Sequence, residues 1–148
     1  MTILNVLALS FLLSLPVPVT KPLERAFLEN SPEILRGILT AEGDIPVSLP
    51  DPLSLADQLS PDQAFLVFKR IFSVYKTTEF FVSAGFLSIP GQPGGILKAR
   101  WSFRDEKTGN QYPLRVFFYL VPENVASRPG RGVSGKALRI VEIRAEKL

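Results

Sequence analysis

The chain has 148 residues, of which 46% are hydrophobic and 21% are charged, a length and composition typical of one folded domain. It contains no cysteine and no histidine, which excludes disulfides, thiolate zinc sites, thiol nucleophiles and imidazole general bases. The net charge of +3 conceals an asymmetry, because 6 of the 17 basic and 9 of the 14 acidic side chains precede residue 98. The basic C-terminal part favours an acidic ligand or partner, or else a solvated strand face.

The N-terminal segment is apolar over residues 3–15, which is too short to span a bilayer comfortably but suits the core of a signal peptide. No lysine or arginine precedes it, and residues 16–20 offer no small-x-small cleavage site, so a buried helix is the alternative. We expect residues 1–20 to be a signal peptide or short anchor. Residues 21–148 would then form an exported periplasmic or extracellular domain that meets a membrane only through its N-terminal segment.

Residues 22–59 are expected to contain short elements. Apolar residues recur with helical spacing over Pro22–Leu39, interrupted by Ser31 and Pro32, which predicts a kinked helix or two short helices in series. Residues 44–49 have the character of a short strand that its prolines confine to the edge of a sheet. Residues 51–59 are predicted to be a connection with about one helical turn.

Residues 60–75, SPDQAFLVFKRIFSVY, carry the clearest helix signal in the chain. Ser60 is a good N-cap, Pro61 suits the first helical position, and Gln63 can complete a capping box. Apolar residues follow at three- and four-residue spacing, so one face of the helix is largely aromatic. We expect this face, including Phe68 and Phe72, to be buried against a sheet.

Four later segments alternate or are rich in aromatic and β-branched residues, and are predicted to be strands at 79–87, 96–104, 112–121 and 136–146. The Gly/Pro-rich segment 90–95 and the segment 105–110, which offers a glycine for a left-handed position, are predicted turns. The resulting order is helix, edge strand, helix and four antiparallel strands. It predicts an α+β fold with helices on one face of a curved sheet.

This order, with SPDQAFLVFKRIF leading through FFVSAGF to ILKARWSF and the closing LRIVEIRAE, resembles the NTF2-like (cystatin-like α+β) superfamily. It looks closest to small secreted bacterial members of unknown function. The resemblance covers about residues 22–148 and implies a curved antiparallel sheet with N-terminal helices on its concave face, a cone-shaped cavity, and a sheet face that can form a homodimer. Enzymes of the superfamily place histidine and aspartate in the cavity. Because histidine is missing, no catalytic residue can be carried over.

Three local motifs have ordinary explanations. Residues 130–137, GRGVSGKA, differ from a phosphate-binding P-loop because Ala137 replaces the final serine or threonine and a strand is predicted to follow. Ser73 and Lys76 match the S-x-x-K motif of penicillin-interacting serine enzymes, but the partner motifs of those enzymes are missing. The adjacent carboxylates at 105–106 lie in a predicted hairpin turn, where solvation is the default.

Strand alternation places four cations on the sheet face opposite the core: Lys98, Arg100, Arg115 and Arg144. Glu142 offsets part of their charge, and Phe117 and Tyr119 lie between them, a pattern that single-stranded nucleic acid binders use. The modest net charge and the predicted export argue against nucleic acid. This face is a candidate surface for an anionic ligand or partner, with cross-strand ion pairs that serve only solubility as the alternative.

The sequence therefore predicts a non-catalytic binding or scaffold module of the bacterial cell envelope, without catalytic residues, metal or cofactor. Its ligand would be an unknown protein or a small anionic or apolar molecule. The alternative is a small-molecule isomerase or hydrolase that uses carboxylate, tyrosine and arginine side chains in an NTF2-like cavity. Such an enzyme requires an acidic residue, such as Glu79, to be buried with a raised pKa beside a pocket.

Overall fold

The computed structural model describes residues 19–125 and 135–148. Its elements are α1 (Thr20–Leu28), α2 (Pro32–Arg36), β1 (Ile45–Leu49), β2 (Leu55–Leu59), α3 (Pro61–Val74), β3 (Tyr75–Ser88), β4 (Gly95–Asp105), β5 (Gln111–Val125) and β6 (Gly135–Lys147). None of these helices has the length and hydropathy that crossing a bilayer requires. The apolar run at 3–15 lies outside the described residues, so the leader stays a prediction.

The six strands form one curved sheet in the order β2–β1–β6–β5–β4–β3. Strands β3 to β6 pair with their sequence neighbours in antiparallel orientation, which confirms the predicted meander. Strand β1 joins β6 in parallel over only two residue pairs, Val47–Ile143 and Ser48–Arg144, so the sheet as a whole is mixed. The helices pack on one face, where rings of α1 and α3 meet the ring of Trp101.

Two predictions about residues 44–59 are wrong. Strand β1 does not lie at the edge of the sheet, because β2 pairs with it on the outside over five residues, from Leu49–Leu55 to Ile45–Leu59. The predicted connection therefore contains a strand at 55–59. Alanine, aspartate and glutamine are weak strand formers, so β2 depends on its pairing with β1 and on the burial of Leu59 rather than on local propensity.

The predicted starts of α2 and α3 and the break in the N-terminal helix are confirmed, whereas α1 begins at Thr20 and not at Pro22. The break occurs at Asn30, whose φ of +50° is left-handed, and Ser31 then caps α2 by accepting a hydrogen bond from Ile34 N at 3.2 Å. Helix α3 begins with the expected capping box: Gln63 N donates to Ser60 Oγ at 3.1 Å, and Ser60 N donates to Gln63 Oε1 at 2.9 Å. Local sequence thus determines where these helices begin.

Glycines in the two predicted turns meet specific backbone requirements. Gly109 has a φ of +76°, which is the predicted left-handed hairpin position. A Cβ atom at Gly94 would lie 1.9 Å from the backbone oxygen of Leu120, so only glycine fits between the β3–β4 turn and β5. A larger residue at Gly109 would be strained and one at Gly94 would clash with β5, so both turns depend on glycine.

Candidate binding surface

The space between the helices and the concave face of the sheet is filled by aromatic rings. Phe27 of α1 is fully buried, and its ring stacks on that of Phe80 with the centroids 4.4 Å apart. The cluster is completed by Phe68, Phe72, Trp101 and Phe118, whose ring centroids lie 5.0–6.2 Å from that of Phe27. The predicted burial of the aromatic face of α3 is confirmed. Where the superfamily resemblance implies a cavity, this chain has a packed aromatic core.

The one tryptophan has its polar group satisfied inside this core. Trp101 is buried, and its Nε1 donates a hydrogen bond to Thr77 Oγ1 at 3.0 Å. This side chain–side chain bond connects β4 with β3. Because it occupies the indole N–H, that group is not available to a ligand. The interior around Trp101 therefore serves stability.

The structure brings the four predicted cations together on the opposite, outer face of the sheet. Arg100 and Arg115 are direct cross-strand partners on β4 and β5. Lys98 and Arg144 both pair with Phe117, from β4 on one side and β6 on the other. Because neighbouring strands lie about 4.8 Å apart, the four backbone positions span only about 10 Å across the sheet.

Three of the four cations form ion pairs with glutamates. Arg100 Nε lies 3.5 Å from Glu79 Oε1, and Arg115 Nη1 lies 3.0 Å from Glu146 Oε1. Arg144 Nη2 lies 3.9 Å from Glu142 Oε2. Such exposed pairs contribute only about 0.2–1 kcal/mol each, so a ligand can displace them at small cost.

Lys98 differs from the other three cations, because it forms no ion pair with any described residue. It lines a surface groove of about 310 Å³ together with Arg100 and Arg115. Phe81, which is 43% exposed, and Leu148, which is 50% exposed, line the same groove. Cations beside exposed apolar side chains suit an anion that carries an apolar group.

The acidic residue suggested for catalysis is not in a catalytic environment. The side chain of Glu79 is 51% exposed and pairs with Arg100 on the outer face, so it is not buried beside a pocket. Within residues 19–125 and 135–148, no group of three or more acidic side chains could hold a metal ion. Glu79 therefore does not meet the condition set for a catalytic acid or base.

The S-x-x-K residues have structural roles at the end of α3. Ser73 Oγ donates to the carbonyl of Arg70 at 2.7 Å, and Lys76 Nζ donates to the carbonyl of Phe72 at 2.8 Å. The Lys76 bond satisfies a carbonyl that the helix C-terminus leaves unpaired, and the Ser73 bond is a local contact back to the preceding turn. Both side chains are therefore engaged with the backbone at the end of α3 and do not form a nucleophile with its base.

The other two motifs are also accounted for by local structure. Residues 130–134 of the P-loop-like segment lie outside the described residues, and residues 135–137 begin strand β6 instead of the helix that a P-loop requires. Asp105 is the last residue of β4, and its Oδ1 accepts a hydrogen bond from Lys107 N in the β4–β5 turn at 2.8 Å. Its carboxylate therefore stabilises the turn.

Sequence reasoning missed one partly buried carboxylate. Glu123 Oε1 accepts hydrogen bonds from Thr40 Oγ1 at 3.1 Å and Ala41 N at 3.2 Å, and Oε2 is buried without a partner among the described residues. These hydrogen bonds connect residues 40–41, which follow α2, with the end of β5. No local signal could have revealed it, because Thr40 and Glu123 are 83 residues apart in the chain.

Tyr75 is the one described side chain with a clearly displaced acid–base equilibrium. Burial raises the pKa of its phenol, and the neighbouring charges of Asp105 and Tyr112 raise it further. Its ring packs edge-on against Phe103, with the centroids 5.2 Å apart. The phenol therefore keeps its proton to a higher pH than an ordinary tyrosine does.

Solved structures show that this architecture is an NTF2-like fold. A ketosteroid isomerase-like protein from Erwinia carotovora atroseptica is 12% identical, with 83% of this chain and 85% of that chain covered and a TM-score of 0.58. An NTF2-like protein of unknown function in nutrient uptake from Rhodospirillum rubrum is 11% identical, with 86% and 93% covered and a TM-score of 0.56. A DUF4783 family protein from Bacteroides uniformis is 16% identical, with 86% and 95% covered and a TM-score of 0.55.

No protein-family model matches the sequence, and no curated protein matches it significantly. At identities this low the structural likenesses show the fold alone. The NTF2-like fold and its concave-face helices were predicted from the sequence and are confirmed. Function has to be argued from the residues of this chain.

Proposed function

We propose that this protein is a non-catalytic binding module of the bacterial cell envelope and that it binds an anionic ligand on the outer face of its sheet. The packed aromatic interior carries the proposal. Phe27 and the rings around it occupy the space in which an NTF2-like enzyme would hold a substrate, so binding shifts to the surface. The groove beside Lys98 then offers the best match of charge and exposed apolar area.

The predicted surface cations would act unequally. Lys98 brings a charge without an ion-pair partner among the described residues, whereas Arg100 and Arg115 would exchange their glutamates for the ligand. Phe81 would contact an apolar group on the ligand. Arg144 lies across Phe117 from Lys98 and would contact only a ligand that extends over β5 and β6.

A charge-reversal experiment tests the binding face. Lys98→Glu combined with Arg115→Glu is compared with Lys69→Glu combined with Lys107→Glu, which changes the net charge equally at exposed positions away from the groove. The probe is anilinonaphthalene sulfonate, an apolar anion whose fluorescence rises on binding. We expect the first variant to raise the Kd at least about tenfold, equivalent to roughly 1.4 kcal/mol, and the second to change it less than about twofold.

Binding should also weaken as salt screens the cations. Equal Kd values in both double variants and the parent protein would refute the outer face as the anion site. Turnover of a substrate by the purified protein would refute the non-catalytic part of the proposal.

Export is the second part of the proposed role. The apolar run at 3–15 supports a signal sequence or anchor, and the buried Val19 suggests where a stable mature chain would begin. The carbonyl of Val19 accepts a hydrogen bond from Leu23 N at 3.0 Å, so a chain cleaved before Val19 keeps the first turn of α1 intact. Fractionation of a producing cell and sequencing of the mature N-terminus test this, and a cytoplasmic, unprocessed protein would refute it.

A further inference from the structure

The two edges of the sheet differ in how they are protected. Edge strand β3 has three register shifts against β4, and such irregularities disrupt the regular row of groups that a further strand would need. Asn30 Oδ1 also accepts a hydrogen bond from Thr77 N at 3.0 Å, which occupies one backbone donor of β3. Strand β3 is therefore a poor template for strand addition.

Edge strand β2 is regular and has backbone groups that face outward. Its register with β1 is unbroken over all five residues. Gln58 pairs with Pro46, which has no N–H, and Gln58 N donates instead to Asp57 Oδ1 at 2.8 Å. Because outward and inward groups alternate along an antiparallel strand, Ala56 also directs its N–H and C=O away from β1. Among the described residues, only the Asp57 carboxylate occupies any of these groups.

Grooves flank β2 on both faces of the sheet. On the outer side a groove of about 350 Å³ is lined by Ala56 and Gln58 and reaches Arg144. On the helix side a groove of about 380 Å³ lies between Leu55 and the apolar side chains Val67, Ile71 and Val74 of α3. A strand added outside β2 would direct alternate side chains toward α3, beside the helix-side groove, and the others toward the outer face beside Ala56 and Gln58. Such alternating contacts give strand-addition sites their specificity.

Charge indicates what the inward side chains of such a strand should be. Arg70 is the one charged residue that lines the helix-side groove, and it forms no ion pair with a described residue. The other lining side chains are apolar except for Tyr75, whose phenol is a donor. A partner with apolar residues and one carboxylate on its inward face complements this groove.

We propose that the β2 edge accepts an extended segment of a partner protein, held by the outward backbone groups of Ala56 and Gln58, with alternate apolar side chains against α3 and a carboxylate at Arg70. This site lies apart from the Lys98 groove and does not depend on the anion-binding proposal. The Asp57 carboxylate competes with the partner strand, because it accepts the hydrogen bond from Gln58 N that a partner carbonyl would otherwise accept.

The probe is a capped nonapeptide in which threonine alternates with inward valines and one central inward glutamate. Its matched control carries lysine in place of the glutamate. Binding is followed by fluorescence anisotropy, and the amide signals of Ala56 and Gln58 are monitored by NMR. We expect the glutamate peptide to bind the parent protein at least about tenfold more tightly than the lysine peptide, with the largest amide shifts at these two residues.

Three variants separate the contributions to binding. Ala56→Pro removes an outward donor that the β1 ladder does not use, so it should keep the melting temperature within a few degrees and weaken binding at least about tenfold. Asp57→Ala frees Gln58 N and should tighten binding. Arg70→Glu should reverse the preference between the two peptides.

The proposal is overturned if the parent protein binds neither peptide, if Ala56→Pro binds as the parent does, or if Arg70→Glu keeps the parent's preference. Unfolding of Ala56→Pro would show that its N–H belongs to the β1 ladder and would also overturn it. Concentration-dependent dimers that Ala56→Pro abolishes would identify a second copy as the occupant and refute a separate partner.

Discussion

Phe27 should be the most sensitive position in the core, because it is fully buried and contacts five other rings. Phe27→Ala removes a buried ring and leaves a space that the surrounding rings can only partly fill. Such substitutions cost about 3–5 kcal/mol, and the stacked contact with Phe80 at 4.4 Å places this one near the upper end. For a chain of this size the melting temperature should fall by roughly 10–15 °C.

Urea unfolding measures this loss, with the fluorescence of Trp101 and the far-ultraviolet circular dichroism as two independent signals. Trp101 is the one tryptophan in the chain, and its ring lies 5.0 Å from that of Phe27. The urea midpoint should decrease while the slope of the transition stays unchanged, since the surface exposed on unfolding is almost the same.

Phe81→Ala is the matched control for this experiment. Phe81 is 43% exposed on the outer face, so its loss should cost only about 1–1.5 kcal/mol. If Phe27→Ala cost less than about 1 kcal/mol, or no more than Phe81→Ala, the cluster would not be the close-packed core described above. A loosely packed interior would also leave room for a ligand there.

Three further predictions concern a helix cap, a titrating group and the N-terminus. Ser60→Ala should cost about 1 kcal/mol in urea unfolding, and combining it with Gln63→Ala should cost less than the sum of the single losses, because the two side chains form one capping box. Since the raised pKa of Tyr75 makes the folded state bind its proton more tightly, stability should fall as the pH rises above 10.0. Tyr75→Phe should make this decline shallower, and an unchanged slope would contradict the assignment. A chain that begins at Lys21 should be about 1.5 kcal/mol less stable than one that begins at Val19, whose buried side chain it lacks; equal thermal midpoints would show that Val19 contributes nothing.

Local signals in the sequence predicted the helices and the four long strands. The capping box at Ser60 and the break at Ser31 depend on neighbouring residues, so reading the sequence locates them well. Alternation predicted β3 to β6 for the same reason, because inward apolar residues such as Leu97 and Trp101 recur at every second position.

The remaining features depend on contacts that are distant in the chain. Strand β2 has no strand-forming composition and exists because β1 pairs with it. The sequence could not predict that aromatic side chains fill the expected cavity. The spacing of aromatic residues shows which side chains face inward, but it does not show how densely they pack. The contact of Glu123 Oε1 with Thr40 joins residues that no pattern in the sequence connects.

The candidate surface was predicted in part. Alternation placed Lys98, Arg100, Arg115 and Arg144 on one face, and the structure shows them as neighbours there. Strand register decides which of these cations lies beside a glutamate. It leaves Lys98 without an ion pair among the described residues, and the sequence alone did not show this. Its role in binding remains a prediction.

The parallel pairing of β1 with β6 also has a consequence for biosynthesis. Val47 and Ser48 can complete their ladder only after Ile143 and Arg144 have been made, so the sheet cannot close before β6 has left the ribosome. Until then the early strands have an unsatisfied edge toward the missing β6 and are exposed to wrong pairing. We therefore expect a holding chaperone to protect the nascent chain until β6 is available, and the same delay would favour translocation of an unfolded chain.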